Sequence, residues 1–183
     1  MPSSRRPSSR KKLLTAAANL IAEDGVMNLT IERTAANAGV TKAGLVYHFK
    51  TRDELLSALV ENMVEELDSQ THGSEQVKRE STPKSLLSSM ENLTFNMPPE
   101  QKRFLANMLA VASTHEHLMP PVRTLFAKGY NGLDCGGNPG LTLILAAALD
   151  GILLLELLKL HIFTPEQVAL MHKTIRELSA ELD

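Results

Sequence analysis

The chain has 183 residues, 43% hydrophobic and 22% charged, with a formal net charge of −2, one cysteine and no tryptophan. That length suits one domain or two small ones with a real apolar core. A single cysteine excludes a disulfide scaffold or a cysteine-rich zinc module and fits a reducing, cytoplasmic setting. The near-neutral balance argues against a nucleic-acid partner only until it is split by position. Residues 1–52 hold nine basic side chains (Arg5, Arg6, Arg10, Lys11, Lys12, Arg33, Lys42, Lys50 and Arg52) against three acids (Glu23, Asp24 and Glu32), a net +6. The remainder carries −8, so a basic head sits on an acidic body, the distribution expected of an electrostatic footprint confined to one end.

In chain order, residues 1–9 are rich in Ser, Pro and Arg and predict a flexible basic arm. The opening residues are polar, with no apolar run behind them, and do not predict a signal peptide. From Arg10 the apolar residues Leu13, Leu14, Ala17, Leu20 and Ile21 recur at helical spacing up to Gly25. A short helix is predicted over 31–38, capped by Thr30 and closed by Gly39. A third, capped by Thr41, runs to about Phe49. Thr51 and Glu54 form a capping box, Glu54 reaching back to Thr51, that opens a long amphipathic helix over 51–70. The polar stretch 70–82 predicts a boundary. Thr82-Pro83, Pro98-Pro99 and Pro120-Pro121 each start a further helix, the last of them ending near Tyr130. Residues 131–140 are almost all turn formers and predict a loop. Two last helices cover 141 to about 161 and, after the Thr164-Pro165-Glu166-Gln167 capping box, 165 to about 182. With no sustained period-2 pattern, the chain reads as all-α.

The stretch 141–158 is long enough to suggest a membrane span. It contains Asp150 and Glu156, each costing about 2.5–3.5 kcal/mol near a helix centre on insertion scales, so it reads as a helix buried in protein, paired with the amphipathic last helix and available to a symmetry mate. No membrane partner is expected. The two acids then need partners, across a dimer interface or in a pocket.

Residues 30–49, TIERTAANAGVTKAGLVYHF, are two short helices joined by Ala38-Gly39-Val40-Thr41. Glycine permits a left-handed turn and Thr41 caps the second helix. This is the construction of a helix-turn-helix, whose second helix enters the DNA major groove. Leu45, Phe49, Ile31, Ala35 and Ala38 should face inward, with Val46 packing beside them. Thr41, Lys42, Ala43, Gly44, Tyr47 and His48 should face outward.

The run AGVTKAGLVYHFKTRDELL, with the helices before it, resembles the N-terminal domain of the TetR/AcrR family of transcriptional regulators over residues 10–59. The sequence departs from many members at Val46, where they carry tyrosine, which leaves Tyr47 as the aromatic hydroxyl. The resemblance implies a three-helix DNA-binding domain (residues 10–55) joined by the long helix (51–70) to a C-terminal helical domain (56–183) for ligand binding and dimerisation. It further implies a homodimeric, cytoplasmic repressor released from a palindromic double-stranded operator by a small apolar or amphipathic effector. Control by a protein partner, or no ligand at all, is the alternative. Assigned by chemistry, Tyr47, His48, Lys50 and the backbone N–H groups of Thr51 and Arg52 go to phosphates. Lys42, Thr41 and Ala43 go to base edges, Lys42 having a phosphate as its equal alternative. Thr30 and Gly44 complete the expected DNA-facing set. Arg5, Arg6 and Arg10 reach a minor groove or an outer phosphate, or form a solvated tail.

For the second domain, Met90, Phe95, Phe104, Met108 and Phe126 are candidates to line an effector cavity, with ordinary core filling as the bland reading. Leu145, Leu149, Ile152, Leu153, Met171 and Ile175 are candidates for a dimer interface. His115 and His117 are spaced i, i+2, point apart on a helix and share a metal only in an extended segment; a metal-binding helical protein is a remote alternative, and no cofactor is expected. Cys135 lies in a glycine-rich loop without a nearby base. No nucleophile–base–orienter set is visible, so the chain does not read as an enzyme.

Overall fold

A computed structural model of the chain describes residues 9–72 and 82–182. Most of the predicted basic arm, Arg5 and Arg6 included, and residues 73–81 of the predicted polar boundary lie outside the described residues. Among the described residues there are nine α-helices and no strand: α1 (Ser9–Asp24), α2 (Ile31–Asn37), α3 (Lys42–His48), α4 (Arg52–His72), α5 (Pro83–Asn96), α6 (Pro99–Thr114), α7 (Met119–Asn131), α8 (Pro139–Leu157) and α9 (Pro165–Ala180). Short 3₁₀ turns at Val26–Asn28 and Glu116–Leu118 precede α2 and α7. The chain divides into two compact units, Met1–Met63 with Arg103–Met119 and Val64–Lys102 with Pro120–Asp183. Both α4 and α6 contribute to each unit, so no single cut in the sequence reproduces the division.

In the first unit α1 packs on α2, and α2 on α3. Leu13, Ile21, Leu29, Leu45, Leu55, Leu56 and Leu59 are all but fully buried there, each contributing roughly 1.5–3 kcal/mol of apolar transfer. From α6, Asn107 donates to the Ile21 carbonyl at 3.1 Å.

The second unit is built on α5 packed against α8, with α9 on both. Its core joins Leu86, Leu87, Leu133, Leu145, Ala146, Leu149, Ile152, Ile175 and Leu182. Lys84 donates to the Leu182 carbonyl at 2.8 Å and holds the end of the chain. Between α5 and α9, Glu91 meets His172 at 2.6 Å, and the His172 ring stacks on Phe95 at 4.5 Å.

The capping residues read from the sequence are in place at Thr30, Thr41, Thr82 and Thr164. Two boundaries and one cap differ. Helix α8 starts earlier than expected, at Pro139, because Asn138 caps it by accepting from the Leu141 N–H at 3.1 Å. It also stops earlier, at Leu157, where Lys159 turns left-handed (φ 53°), and the Leu160 and Lys159 N–H groups close back on the Leu155 and Glu156 carbonyls at 3.0 and 3.1 Å. Lysine does here what glycine usually does, which hid the stop. At the start of α4, Glu54 accepts from the Lys50 N–H at 2.8 Å rather than reaching back to Thr51, whose hydroxyl accepts from the Glu54 N–H at 3.0 Å.

Helix α8 is long and apolar enough to cross a bilayer by length and composition. Its two acids find partners within the same unit, so neither depends on a second copy. Lys102 meets Glu156 at 2.5 Å, and Tyr130 donates to Asp150 at 2.8 Å. Burial pushes the Asp150 carboxyl above its ordinary value, opposed in part by the Tyr130 hydrogen bond. Burial, together with that hydrogen bond and the Asp150 charge, pushes the Tyr130 phenol up as well.

A left-handed residue with a Cβ costs about 1–2 kcal/mol, while glycine frees the unfolded chain by about 0.4–1 kcal/mol. Lys159→Gly is therefore expected to hold or slightly raise the melting temperature. Lys159→Val should lower it, and equal melting of both variants would contradict the left-handed stop. A carboxyl whose pKa is higher folded than unfolded favours the native state most when protonated and loses that contribution as pH rises through the folded value. Asp150→Asn keeps an acceptor for Tyr130 and removes the charge. It should melt above the parent at neutral pH, the gap narrowing as pH falls through the carboxylate range.

Candidate nucleic-acid interface

The interface is built around the turn between α2 and α3. Gly39 is left-handed (φ 65°), and the Gly39 and Val40 N–H groups close on the Ala36 and Ala35 carbonyls at 3.1 and 3.0 Å. Thr41 then accepts from the Gly44 N–H at 3.0 Å and starts α3. A Cβ added at Gly44 would come within 3.3 Å of that same Thr41 hydroxyl, so glycine keeps the cap undisturbed as well as leaving the helix surface low. Leu45 and Phe49 are buried, as expected. Arg10 lies over the Phe49 ring at 5.3 Å, a cation–π contact that gives it a structural use.

On α2 the inward set is partly different. Ala35 is buried, but Ile31 and Ala38 are only half-buried, and Thr34 is fully buried in their place. Its hydroxyl donates to the Thr30 carbonyl at 2.8 Å, so the polar atom is satisfied and the methyl can pack. Sequence patterning treated Thr34 as polar and missed it.

Of the residues expected on DNA, Thr41, Lys42, Ala43, Gly44, Tyr47, Lys50 and Thr51 are exposed, Tyr47 at 85%. His48 is half-buried, its ring edge-on to Tyr47 at 5.2 Å. Thr30 is half-buried with its hydroxyl engaged as the α2 cap, accepting from the Arg33 N–H at 3.1 Å. The ammonium of Lys42 lies 2.6 Å from Glu32 of α2. Asp24, the other acid paired within this head, is bonded to Arg33.

The sequence assigned Arg52 only a backbone N–H. Its side chain proves to hold the unit together: the guanidinium, half-buried, donates to the Leu29 and Val26 carbonyls, both at 2.9 Å. It thereby joins the start of α4 to the turn ahead of α2. That first turn of α4 also carries Asp53, 3.1 Å from His117, and Glu54. Both place negative charge at the helix N-terminus to which a phosphate was assigned.

The remaining candidates separate. Phe104 and Met108 belong to the first unit, and Met90, Phe95 and Phe126 to the second. Met108 is fully buried, Met90, Phe95 and Phe104 are half-buried, and Phe126 is exposed. Leu145, Leu149, Ile152 and Ile175 are buried in the core of their own chain, which removes them from a surface for a second copy; Leu153 and Met171 are half-buried. Each apolar helix has two faces, and the pattern did not say which was covered. The side chains that α8, α9 and the segment between them leave exposed include Ile144, Leu155, Leu158, Leu160, Ile162 and Leu170.

His115 bonds through Nδ1 to the Val111 carbonyl at 3.0 Å, away from the His117 contact with Asp53. Among the described residues no group of three His, Cys, Asp or Glu could hold a metal. Cys135 is free and exposed.

Residues 13–59 match the family model for bacterial regulatory proteins of the tetR family, and residues 85–180 match that for the tetracyclin repressor-like C-terminal domain. No curated protein matches the sequence. Solved structures share the fold. A TetR-family member from Streptomyces coelicolor A3 is 23% identical, with 94% of this chain and 98% of that one covered and a TM-score of 0.68. A TetR transcription regulator from Haloarcula marismortui ATCC 43049 is 21% identical over 96% and 98%, TM-score 0.70. The multidrug binding protein EbrR complexed with malachite green is 21% identical over 94% and 98%, TM-score 0.71.

Replacing Arg52 by methionine removes two charged hydrogen bonds and leaves two carbonyls without their donor. Such bonds are worth about 1.5–3 kcal/mol. Arg52→Met is expected to lose stability of that order in denaturant unfolding, with Arg52→Lys recovering only part. An unchanged midpoint would show that the guanidinium is incidental to the fold.

Proposed function

As this chain belongs to the TetR family of bacterial regulatory proteins and is a DNA-binding transcriptional regulator, we propose that it is a cytoplasmic homodimeric repressor that leaves a palindromic operator on binding a small effector. The observation that carries the reading is the split on α3: Leu45 and the following Phe49 are locked in the core while Thr41, Lys42, Ala43, Gly44 and Tyr47 stand in solvent. A short helix displayed in this way fits a major groove, with Lys42, Thr41 and Ala43 toward base edges and Tyr47, His48, Lys50 and the backbone at Thr51 and Arg52 toward phosphates. A palindrome requires two copies with recognition helices about 34–36 Å apart. The second copy is assigned to the exposed apolar side of α8 and α9, carried by Ile144, Leu155 and Leu170, in place of the inward-facing residues named from sequence.

An effector acts by binding one spacing of the two heads better than the other. The EbrR structure contains malachite green, a bulky aromatic ligand. That likeness supports an apolar or amphipathic effector here, with the half-buried Met90 and Phe95 and the exposed Phe126 as its candidate contacts in the second unit.

The test is a mobility shift on the DNA upstream of the chain's own gene, titrated with salt. Binding there should exceed binding to random duplex by about 10³-fold or more, and equal binding would defeat the reading. The double substitution Tyr47→Phe, Lys50→Ala should weaken binding to every duplex alike and flatten the salt slope. A change in preference among operators would instead move these residues to base contacts. For the effector, a chemically varied panel is screened by thermal shift. A ligand at a hundred times its Kd stabilises by about 2.7 kcal/mol and should also release the DNA.

A further inference from the structure

The ion pair between Glu32 and Lys42 bridges the two helices of the helix-turn-helix on its solvent side. Lys42 is the first residue of α3, and its ammonium lies 2.6 Å from the Glu32 carboxylate on α2, the two side chains being 64% and 61% exposed. Arg33, next to Glu32, is turned to Asp24 and to the Asn28 carbonyl. Helix α2 buries Thr34 and Ala35, so Glu32 stands on the outward side together with α3. The hydrogen bond from Lys42, then Glu32's own backbone, then the lysine charge hold the Glu32 carboxyl below its ordinary range.

An acid on a DNA-facing surface opposes binding unless it does something else there. We propose that Glu32 is a positioning residue for DNA recognition, which holds Lys42 away from phosphates and makes its contact conditional on a guanine edge. The inference rests on the DNA-binding reading above and goes beyond it.

The physical argument is one of donors and charge. A free lysine binds any phosphate by counterion release, raising affinity for every sequence equally and adding nothing to discrimination. To turn to a phosphate here, Lys42 must leave Glu32, and the carboxylate is then unpaired beside a polyanion, a built-in repulsion against the wrong contact. At guanine the situation differs. An ammonium has three N–H donors; one stays with Glu32 while the others face the O6 and N7 acceptors of a single base. The carboxylate is then kept neutralised and can itself accept from the N4 amino group of a cytosine. The pair therefore discriminates in favour of G·C at one step without strengthening random binding.

The experiment compares the wild-type chain, Glu32→Gln, Lys42→Met and the double variant. Each is used to select from a pool of random duplexes and is then titrated by anisotropy, over a salt series, against the wild-type-selected duplex and against a scrambled one. Glu32→Gln frees the ammonium, so binding to scrambled duplex should tighten and its salt slope steepen by about 0.9, one phosphate contact. Its selected pool should lose the G·C preference at one step. Lys42→Met should lose the same preference with no gain on scrambled duplex. The double variant should show the same lost preference, because Glu32 sets it only through Lys42, while binding every duplex somewhat more tightly than Lys42→Met because the unpaired carboxylate is gone. Matching circular dichroism and melting of the four chains separates these effects from misfolding.

If Glu32→Gln changes affinity for selected and scrambled duplexes by the same factor, or if the two substitutions act additively on the G·C preference, the proposal is wrong while DNA recognition stands. If the wild-type chain selects nothing from the pool, the DNA-binding reading fails and takes this one with it.

Discussion

A seven-residue helix has no stability of its own in water, since nucleation is costly and only a few backbone bonds repay it. Helix α3 is such a helix, and the first unit is arranged to hold it. Leu45 and the following Phe49 are buried in the core of the unit, Thr41 satisfies an amide at the entry, and the left-handed Gly39 turns the chain from α2 into α3. The apolar cost of ordering α3 is met by groups on its inner side, and of the outward residues only Thr41, as cap, and Gly44, as its neighbour, are tied to the fold. That separation lets a recognition surface vary in chemistry without endangering the fold.

The anchoring extends one step further back. Arg52 lies at the start of α4 and bonds the turn that precedes α2. The position of α2 is thus tied to α4, and α3 is tied to α2 through the glycine turn. A single guanidinium joins the two because its planar fork presents two donors to two carbonyls in one fixed geometry, an arrangement that the compact ammonium of a lysine does not pre-organise. The second unit solves the related problem of acids in an apolar helix. Asp150 and Glu156 would be costly alone, and each takes a partner from another helix of the same unit, Tyr130 from α7 and Lys102 from α6. One pair is ionic and the other is a phenol on a carboxylate, and burial raises the Asp150 carboxyl while the phenol's hydrogen bond opposes it in part.

Local rules carried the sequence reading furthest. Caps at Thr30, Thr41, Thr82 and Thr164, proline at the first turns of α5 and α9 and glycine at position 39 are short-range signals, and each element begins where they say. The stop at Lys159 escaped because any residue can enter the left-handed region if tertiary packing requires it. What covers each face of a two-faced apolar helix is a long-range fact. Leu145, Leu149 and Ile152 look no different in sequence from Ile144 and Leu155, yet the first three are buried in the chain and the others are not. Side-chain chemistry with two uses was legible only in part. Arg52 reads as a phosphate contact through its backbone N–H while its side chain serves as a structural clasp, and Thr34, absent from the inward set read from the sequence, lies in the core.

Charge shows why position mattered more than the total. The net −2 conceals +6 on residues 1–52, and at distances beyond a Debye length only such net values steer a protein toward a polyanion. At contact range the count changes meaning. Two of the three acids in that head are already engaged, Asp24 with Arg33 and Glu32 with Lys42, so two cations that strengthen the far field are not simply available to phosphates. Arg52 is committed to carbonyls, and Arg10 to the Phe49 ring. The head therefore attracts DNA with more charge than it can offer to the backbone at contact. Under the function proposed above, attraction brings the duplex in, and discrimination then falls to the groups that α3 presents.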